Sequence, residues 1–143
     1  RNWFSNISYI SQDTKLINYS VLNNITFNIS GQITNISKIK KILKLAQLDS
    51  FIKKNKKGIG TIVGDRGSNV SSGQAQRILI ARALFFDRKI IILDEATSAL
   101  DKKNEVKIFN MIKKLKENRI IIIVSHNSDN INFCDKIYKI TNE

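Results

Sequence analysis

The sequence has little of what marks a secreted or membrane-spanning chain. Its longest purely apolar runs, such as residues 120–124, are far shorter than the roughly 18 residues that a membrane span needs. No stretch has the pattern of a signal peptide. Cys134 is the only cysteine, so no intrachain disulfide can form; a reducing, cytosolic setting and a role as a small buried hydrophobe are expected. Any membrane contact should therefore be peripheral or made through partners.

Acidic residues are also few, with 12 Asp and Glu against 24 Lys and Arg and a net charge of +12. Such an excess can mark a protein that binds nucleic acid or anionic lipid. The lysines are, however, scattered through a chain that is rich in Lys, Asn and Ile throughout, so a compositional bias explains them better and nucleic acid is an unlikely partner. The 143 residues suit one globular domain or a large piece of one, and Arg1 in first place suggests a fragment or a processed chain.

The most informative stretch covers residues 69–101. Small residues, including Ser71, Ser72 and Gly73, stand at the start of an amphipathic segment that predicts a helix over residues 72–86. Backbone amides of small residues can approach an anion closely, and the positive end of the helix dipole points to the same place. This pattern predicts a phosphate-binding helix start; the alternative is an ordinary N-capped helix.

A short apolar run over residues 90–93 follows this helix and predicts a buried, central parallel strand. The run delivers two adjacent carboxylates, Asp94 and Glu95, at its carboxyl end. Ligands of open α/β sheets bind at that edge. The two carboxylates are therefore candidate functional groups.

The rest of the chain alternates strands and helices. Ser37 is the expected N-cap of one helix, Asp101 caps or begins another, and residues 53–57 form a basic turn. The further predicted elements are strands at 7–11, 120–124 (buried) and 136–140 (edge), helices at 21–27, 38–48 and 102–116, and a short helical turn at Ile131 and Phe133. The order predicts a doubly wound α/β fold with a helical insertion.

Five motifs in this order resemble the nucleotide-binding domain of ATP-binding-cassette (ABC) proteins, and together they cover nearly the whole chain. They are Gln12 (Q-loop), Val70-Ser71-Ser72-Gly73-Gln74 (signature), residues 90–95 (Walker B), Ser98-Ala99-Leu100-Asp101 (D-loop) and His126 (switch histidine). Each motif alone is weak, whereas five in order are specific.

The resemblance implies the distal half of a RecA-like P-loop NTPase, an α/β fold with a parallel sheet preceded by an ABC-type helical subdomain. In these terms residues 1–13 are a strand and the Q-loop. Residues 14–86 are the mainly helical subdomain with the signature, and residues 87–143 are the half of the core with Walker B, the D-loop and the switch histidine.

Two further segments resemble the exporter branch of the family. The Gln-Asp pair at residues 12–13 is followed by an apolar bend and by Asn24-Ile25. Residues 61–67, TIVGDRG, resemble the loop that precedes the signature and touches the cytoplasmic loops of the membrane domain. The expected parent is an exporter with its ATPase domain at the cytoplasmic face of the cell membrane.

By the resemblance, ATP and Mg²⁺ are the ligands of the core. Glu95 would act as the general base on the attacking water, and Asp94 would hold Mg²⁺ through water, because Mg²⁺ keeps several waters and takes few protein carboxylates. Gln12 would contact both Mg²⁺ and the attacking water. His126, the only histidine, would touch the γ-phosphate and orient the water; its alternative is a neutral surface or core histidine.

The signature implies a partner. Ser71, Ser72, Gly73 and Gln74 would bind the γ-phosphate of ATP held by a second nucleotide-binding domain, in a homodimer or a heterodimer. Asp101, together with Ser98, would lie at the dimer interface, although Asp101 would serve equally well as a simple helix cap.

The sequence departs from the family pattern in two ways. Val70 and Ser72 replace the usual Leu and first Gly of the signature, and the Ser72 side chain either weakens the phosphate site or donates a hydrogen bond to it. No Gly-x-x-x-x-Gly-Lys-Ser/Thr loop occurs in the 143 residues; the family has it upstream of the Q-loop. The chain alone is therefore expected to be nearly inactive, and to be marginally stable because strands that pair with the Walker B strand would be missing.

Two other functions stay open from the sequence. One is a non-transport ABC ATPase of chromosome maintenance or DNA repair, with the positive charge serving DNA. The other is an inactive module that supplies only its signature face to a partner. Upstream membrane spans would identify an exporter, and a long coiled coil would identify the DNA class.

Overall fold

A computed structural model of the chain describes residues 3–11, 13, 15–29, 35–127 and 132–140. Ile131, in the predicted turn near the carboxyl end, lies outside these residues. The strands are β1 (Ile7–Ser11), β2 (Ile90–Asp94) and β3 (Ile120–Val124), and the helices are α1 (Val21–Thr26), α2 (Ile36–Leu45), α3 (Asp49–Lys54), α4 (Ser72–Phe86) and α5 (Lys102–Leu115). Four helices thus stand between β1 and β2, which confirms the predicted helical insertion.

The three strands form one parallel sheet in the order β1-β2-β3. Tyr9 pairs with Ile92, which in turn pairs with Ile122. The predicted Walker B strand, β2, is therefore hydrogen-bonded on both sides by strands of the same chain. The expectation that its pairing strands are missing was wrong, because β1 and β3 flank it. The outer edges of β1 and of β3 are the ones that have no partner among the described residues.

The two faces of this sheet differ. On one face, side chains such as Ile91 and Leu93 are only 4% and 2% exposed and belong to the main hydrophobic core. On the other face, Tyr9, Ile122 and Val124 are about half exposed. The prediction of a fully buried β3 was wrong for alternate residues, because nothing in the described part of the chain covers that face.

Helix α4 is the central helix of the fold. It has the predicted bounds and packs against α1, α2 and β1, so its apolar residues are buried on more than one side. Ile78 and Ala81 are fully buried in these contacts. The helix runs from the predicted signature to the turn before β2, and it connects the helical region with the sheet.

Helix α2 differs from the predicted helix at both ends. Asn35 rather than Ser37 is the N-cap, because its Oδ1 accepts a hydrogen bond from the backbone N–H of Lys38 at 2.9 Å. At the other end Gln47 adopts φ +56°, and the Leu48 N–H donates to the Leu43 carbonyl at 2.9 Å. This is a Schellman motif, which ends the helix and lets α3 start in a new direction.

Three smaller expectations also need correction. Lys53 and Lys54 are the last residues of α3, so only part of the predicted basic turn is a turn. Residues 136–140 are irregular and have no strand partner in the part of the chain that the structure describes, because alternation of apolar and polar residues does not by itself provide an edge with which to pair. Cys134 is partly exposed rather than buried.

Candidate functional site

Glu95 and His126 meet at the carboxyl edge of the sheet. Glu95 follows β2 with φ +49°, and its N–H donates to the Val124 carbonyl at 3.0 Å. Glu95 Oε1 accepts hydrogen bonds from both the backbone N–H of His126, at 2.9 Å, and His126 Nδ1, at 2.7 Å. The Glu95 side chain is 21% exposed and the imidazole 84% exposed. The carboxylate is therefore held in one orientation, while the histidine stays accessible to a ligand.

Asp94 lies beside this pair, at the end of β2. Its backbone is in register with Ser11 and Val124. Its Oδ2 accepts a hydrogen bond of 2.7 Å from the Tyr9 hydroxyl, and this bond is the main reason why the pKa of Tyr9 is raised. Gln12, which follows Ser11 directly in the sequence, lies outside the described residues.

The predicted signature forms the start of α4, as a capping box. Ser71 Oγ accepts from the Gln74 N–H at 3.3 Å, and the Gln74 side-chain oxygen accepts from the Ser71 N–H at 2.9 Å. Ser71 and Ser72 are exposed, and Gly73 is half-buried. The start of a 15-residue helix, which carries the positive end of its dipole, is therefore accessible to solvent at Ser71 and Ser72.

The predicted D-loop connects Glu95 with this helix start. A side chain at Gly73 would place its Cβ 3.3 Å from the Ala99 carbonyl oxygen, so the helix and the loop approach closely. The Gln76 side chain accepts a hydrogen bond from the Ala99 N–H at 3.1 Å. Asp101 caps α5 by accepting from the Asn104 N–H at 3.1 Å, and this bond is the first cause of the lowered pKa of its carboxyl group. The alternative role of Asp101 as a helix cap is thus present in the structure.

Arg82 joins α4 to the segment that follows the predicted Q-loop. Its Nε donates to the Asn24 carbonyl at 2.7 Å, and its Nη2 donates to Asn24 Oδ1 at 3.2 Å. The guanidinium lies 4.3 Å above the centre of the Phe27 ring. Burial lowers the pKa of Arg82 to about 10, which is still well above neutral pH, so the side chain stays charged.

The structure thus brings Asp94, Glu95 and His126 together and places Ser71 to Gln74 at a separate position, linked to them by residues 95–101. Sequence reasoning missed three contributors, Tyr9, Gln76 and Arg82. The parallel pairing of β1 and β2 would have pointed to Tyr9, because diagonal neighbours on one face of a sheet lie within reach of a long side chain. The other two contacts depend on tertiary packing.

Comparison with known proteins decides the family. A sequence model described as "ABC transporter" matches residues 1–98, which include both strand-end carboxylates and the predicted signature. The chain belongs to the ABC transporter family. Its α/β fold with a parallel sheet is that of a P-loop NTPase fragment, as predicted.

Relatives of this ABC chain include named transporters. It is 40% identical over 133 residues to the ATP-dependent lipid A-core flippase of Paraburkholderia xenovorans, covering 93% of the chain and 22% of the flippase. It is 35% identical over 137 residues to a multidrug resistance ABC transporter ATP-binding and permease protein of Lactococcus lactis, covering 96% of the chain and 23% of that protein.

A solved structure of a bacterial Atm1-family ABC exporter with ATP bound superposes with a TM-score of 0.81. The two chains are 31% identical, and the match covers 89% of this chain and 22% of the exporter. The ABC chain thus spans about a fifth of the length of the exporters it matches. Among its described residues, no helix is both long enough and apolar enough to cross a membrane.

Proposed function

We propose that the chain is the helical subdomain and Walker B half of an ABC exporter's ATPase domain, and that the parent protein couples ATP hydrolysis to transport across a membrane. The observation that carries the proposal is the 2.7 Å contact between Glu95 and His126, which come from the ends of two neighbouring strands. They lie at the edge where ligands of α/β sheets bind. The flippase and the permease among the relatives favour transport over DNA maintenance.

Glu95 fits the role of general base. A carboxylate at the end of a strand can take a proton from, or orient, the water that attacks a γ-phosphate. Two hydrogen bonds from His126 fix its direction, and the exposed imidazole is placed to contact the same phosphate. We propose Gln12, next to the end of β1, as a further ligand of the water and of the metal ion.

Asp94 fits the role of a magnesium ligand. Mg²⁺ keeps several waters and takes few protein carboxylates, and a single strand-end aspartate supplies the hard oxygen donors that it prefers. When bound, the ion neutralises charge on the phosphates. The Tyr9 hydroxyl restricts the orientation of the Asp94 carboxylate.

The start of α4 fits the phosphate of a second nucleotide. Ser71, Ser72, Gly73 and Gln74 form a helix start with small, accessible residues. We propose that it contacts ATP held by a second nucleotide-binding domain, so that two copies, identical or not, complete each other's sites. Asp101, at the start of α5, would then lie near the interface.

The membrane domain is the second proposed partner. The predicted contact loop, residues 61–67, ends in a 3-10 turn (Asp65–Gly67) and pairs with the segment before α1 through a bridge between Ser20 and Ile62. Ile62 and the neighbouring Tyr19 are more than 40% exposed, which gives this surface apolar side chains for the cytoplasmic loops of a transporter. The site of action would be the cytoplasmic face of the membrane.

The test uses the parent protein with Glu95→Gln. We expect ATP turnover to fall by about a hundredfold or more, because general-base catalysis contributes that much, while ATP binding is retained. His126→Ala should also lower kcat. Asp49→Asn, the same change of charge on α3, is the matched control and should leave turnover within twofold. Full ATPase activity of the Glu95→Gln variant would contradict the proposal.

The isolated 143 residues should hydrolyse almost no ATP, because they contain no Gly-x-x-x-x-Gly-Lys-Ser/Thr loop to hold the β-phosphate. Glu95-dependent turnover by the purified chain would contradict this expectation.

The alternative of a module that only supplies its signature face makes a different prediction. In that case, a complete ABC ATPase subunit would hydrolyse ATP faster when this chain is added, and Gly73→Val would abolish the gain.

A further inference from the structure

Gln76 makes contacts that no predicted motif explains. It lies in the second turn of α4, after the signature. Its Oε1 accepts a hydrogen bond from the Ala99 N–H at 3.1 Å, and its Nε2 donates to Ser98 Oγ at 3.4 Å. One amide thus holds two consecutive residues of the D-loop, using both its acceptor and its donor.

The D-loop is tightly folded between this contact and Glu95. The Ser98 N–H donates to the Glu95 carbonyl at 3.2 Å, and the Leu100 N–H donates to the Thr97 carbonyl at 2.9 Å. Thr97 is only 5% exposed, and its hydroxyl donates to Glu105 on α5 at 2.8 Å. A displacement of the Ala99 backbone should therefore also displace the backbone of Glu95, because these hydrogen bonds connect the two.

The signature side of the contact is equally close. Gly73 lies against the Ala99 carbonyl, with room for no more than a tightly packed Cβ. The Gly73 carbonyl accepts a hydrogen bond of 3.0 Å from Arg77 Nε, and Arg77 Nη1 also donates to the Gln47 carbonyl at 3.3 Å. Gln76 thus holds α4 to the D-loop, and its neighbour Arg77 holds the start of α4 to the α2–α3 junction.

We propose that Gln76 is a positioning residue that couples the two parts of the candidate site, the start of α4 and Glu95. Binding of a phosphate at the start of α4 is transmitted through Gln76 to Ala99 and along the folded D-loop to Glu95. The inference rests on the proposed function, in which the helix start serves the partner's ATP and Glu95 serves the chain's own. Gln76 thereby makes hydrolysis in one site depend on occupancy of the other.

The test compares Gln76→Leu, Gln76→Ala and Gln76→Glu in the parent protein. Leu and Ala remove both hydrogen bonds, so kcat should fall about five- to tenfold, near the lower end of the usual coupling between two sites, while the Kd of a non-hydrolysable ATP analogue stays unchanged. Glu keeps an acceptor for the Ala99 N–H and should restore most of kcat. Asn110→Ala, an exposed polar change on α5, is the control and should not alter kcat.

A double-mutant cycle separates coupling from a merely structural role. Ser71→Ala should lower kcat in the wild-type background, and less so in the Gln76→Leu background, because the helix start no longer acts on Glu95. Independent, additive effects would overturn the proposal, and so would equal losses of kcat, analogue affinity and Tm in all three Gln76 variants.

Failure of the two proposals can be distinguished. A wild-type parent that hydrolyses no ATP would sink the proposed function. An active wild type with an unaffected Gln76→Leu variant would sink only the coupling.

Discussion

The described part of the helical region, within residues 15–86, and the three-stranded sheet differ in how they bury their side chains. In the helical region Asn24 is fully buried, and its amide exchanges hydrogen bonds of 2.9 and 3.0 Å with the backbone of Ile17. In the sheet Ile122 and Val124 leave about half of their surface in solvent. The buried amide of Asn24 finds its partners within its own region, whereas the sheet presents an apolar face.

The difference indicates where the chain depends on something else. The Asn24 amide forms a buried polar hub with the backbone of Ile17 and the side chain of Arg82. Such a hub is stable only when all its partners are present, and the helical region supplies these partners. An apolar sheet face and an unpaired strand edge instead favour association with further structure. The packing around Asn24 should thus persist in the isolated chain, and the open face of the sheet should act as half of an interface within the proposed ATPase domain.

The largest expected effect compares the two faces of the sheet. Ile91→Ala, on the covered face, should lower the free energy of unfolding by about 3.5 kcal/mol, because it leaves a cavity in the core. Ile122→Ala, on the open face, should cost less than about 1 kcal/mol because its side chain is already half exposed. Urea unfolding of the 143-residue chain measures both.

Equal costs at the two positions would show that the open face is covered in solution, for instance by self-association, and would break the comparison. An extended protein that includes the phosphate loop sharpens it. There, the cost of Ile122→Ala should rise towards that of Ile91→Ala.

The second prediction concerns the polar hub of the helical region. Asn24→Ala should lower the free energy of unfolding by about 2.5 kcal/mol, because it leaves the Ile17 N–H and nearby carbonyls without partners and weakens the hold on Arg82. Asn110→Ala removes the same group from an exposed helix position and should change stability by less than about 0.5 kcal/mol. A similar small change at both positions would mean that the hub contributes little.

The sequence predicted the elements whose determinants are local. Helix α4 has the expected bounds because Ser71 caps it and a sustained apolar pattern follows, and β3 begins and ends with its apolar run. The end of α2 was missed because Gln47 occupies a left-handed position that usually belongs to glycine. A five-residue apolar run such as β3 also carries no information on which of its faces will be covered.

The candidate site shows the same division. Asp94, Glu95 and His126 could be listed from the sequence because each follows an apolar strand, and the parallel sheet then brings them together. The role of Tyr9 follows only once the pairing of β1 with β2 is known, and that of Gln76 depends on the packing of α4 against the loop before α5. Motifs thus identify the candidate ligand-binding groups, whereas the contacts that orient those groups come from the fold.

The smallest predicted effect lies at the end of α2 and has the opposite sign. Gln47 has φ +56°, a conformation that costs energy for a residue with a Cβ but not for glycine. Its N–H and carbonyl take part in the Schellman motif and in the contact with Arg77, and glycine keeps both backbone groups. Gln47→Gly should therefore stabilise the helical region by about 0.5 kcal/mol, since the relief of strain exceeds the added freedom of the unfolded chain.

Urea unfolding would detect the gain as a higher midpoint with an unchanged slope. A loss of stability would mean that the Gln47 side chain contributes more than the left-handed conformation costs, and that the helical region is less well closed by its backbone than the structure indicates.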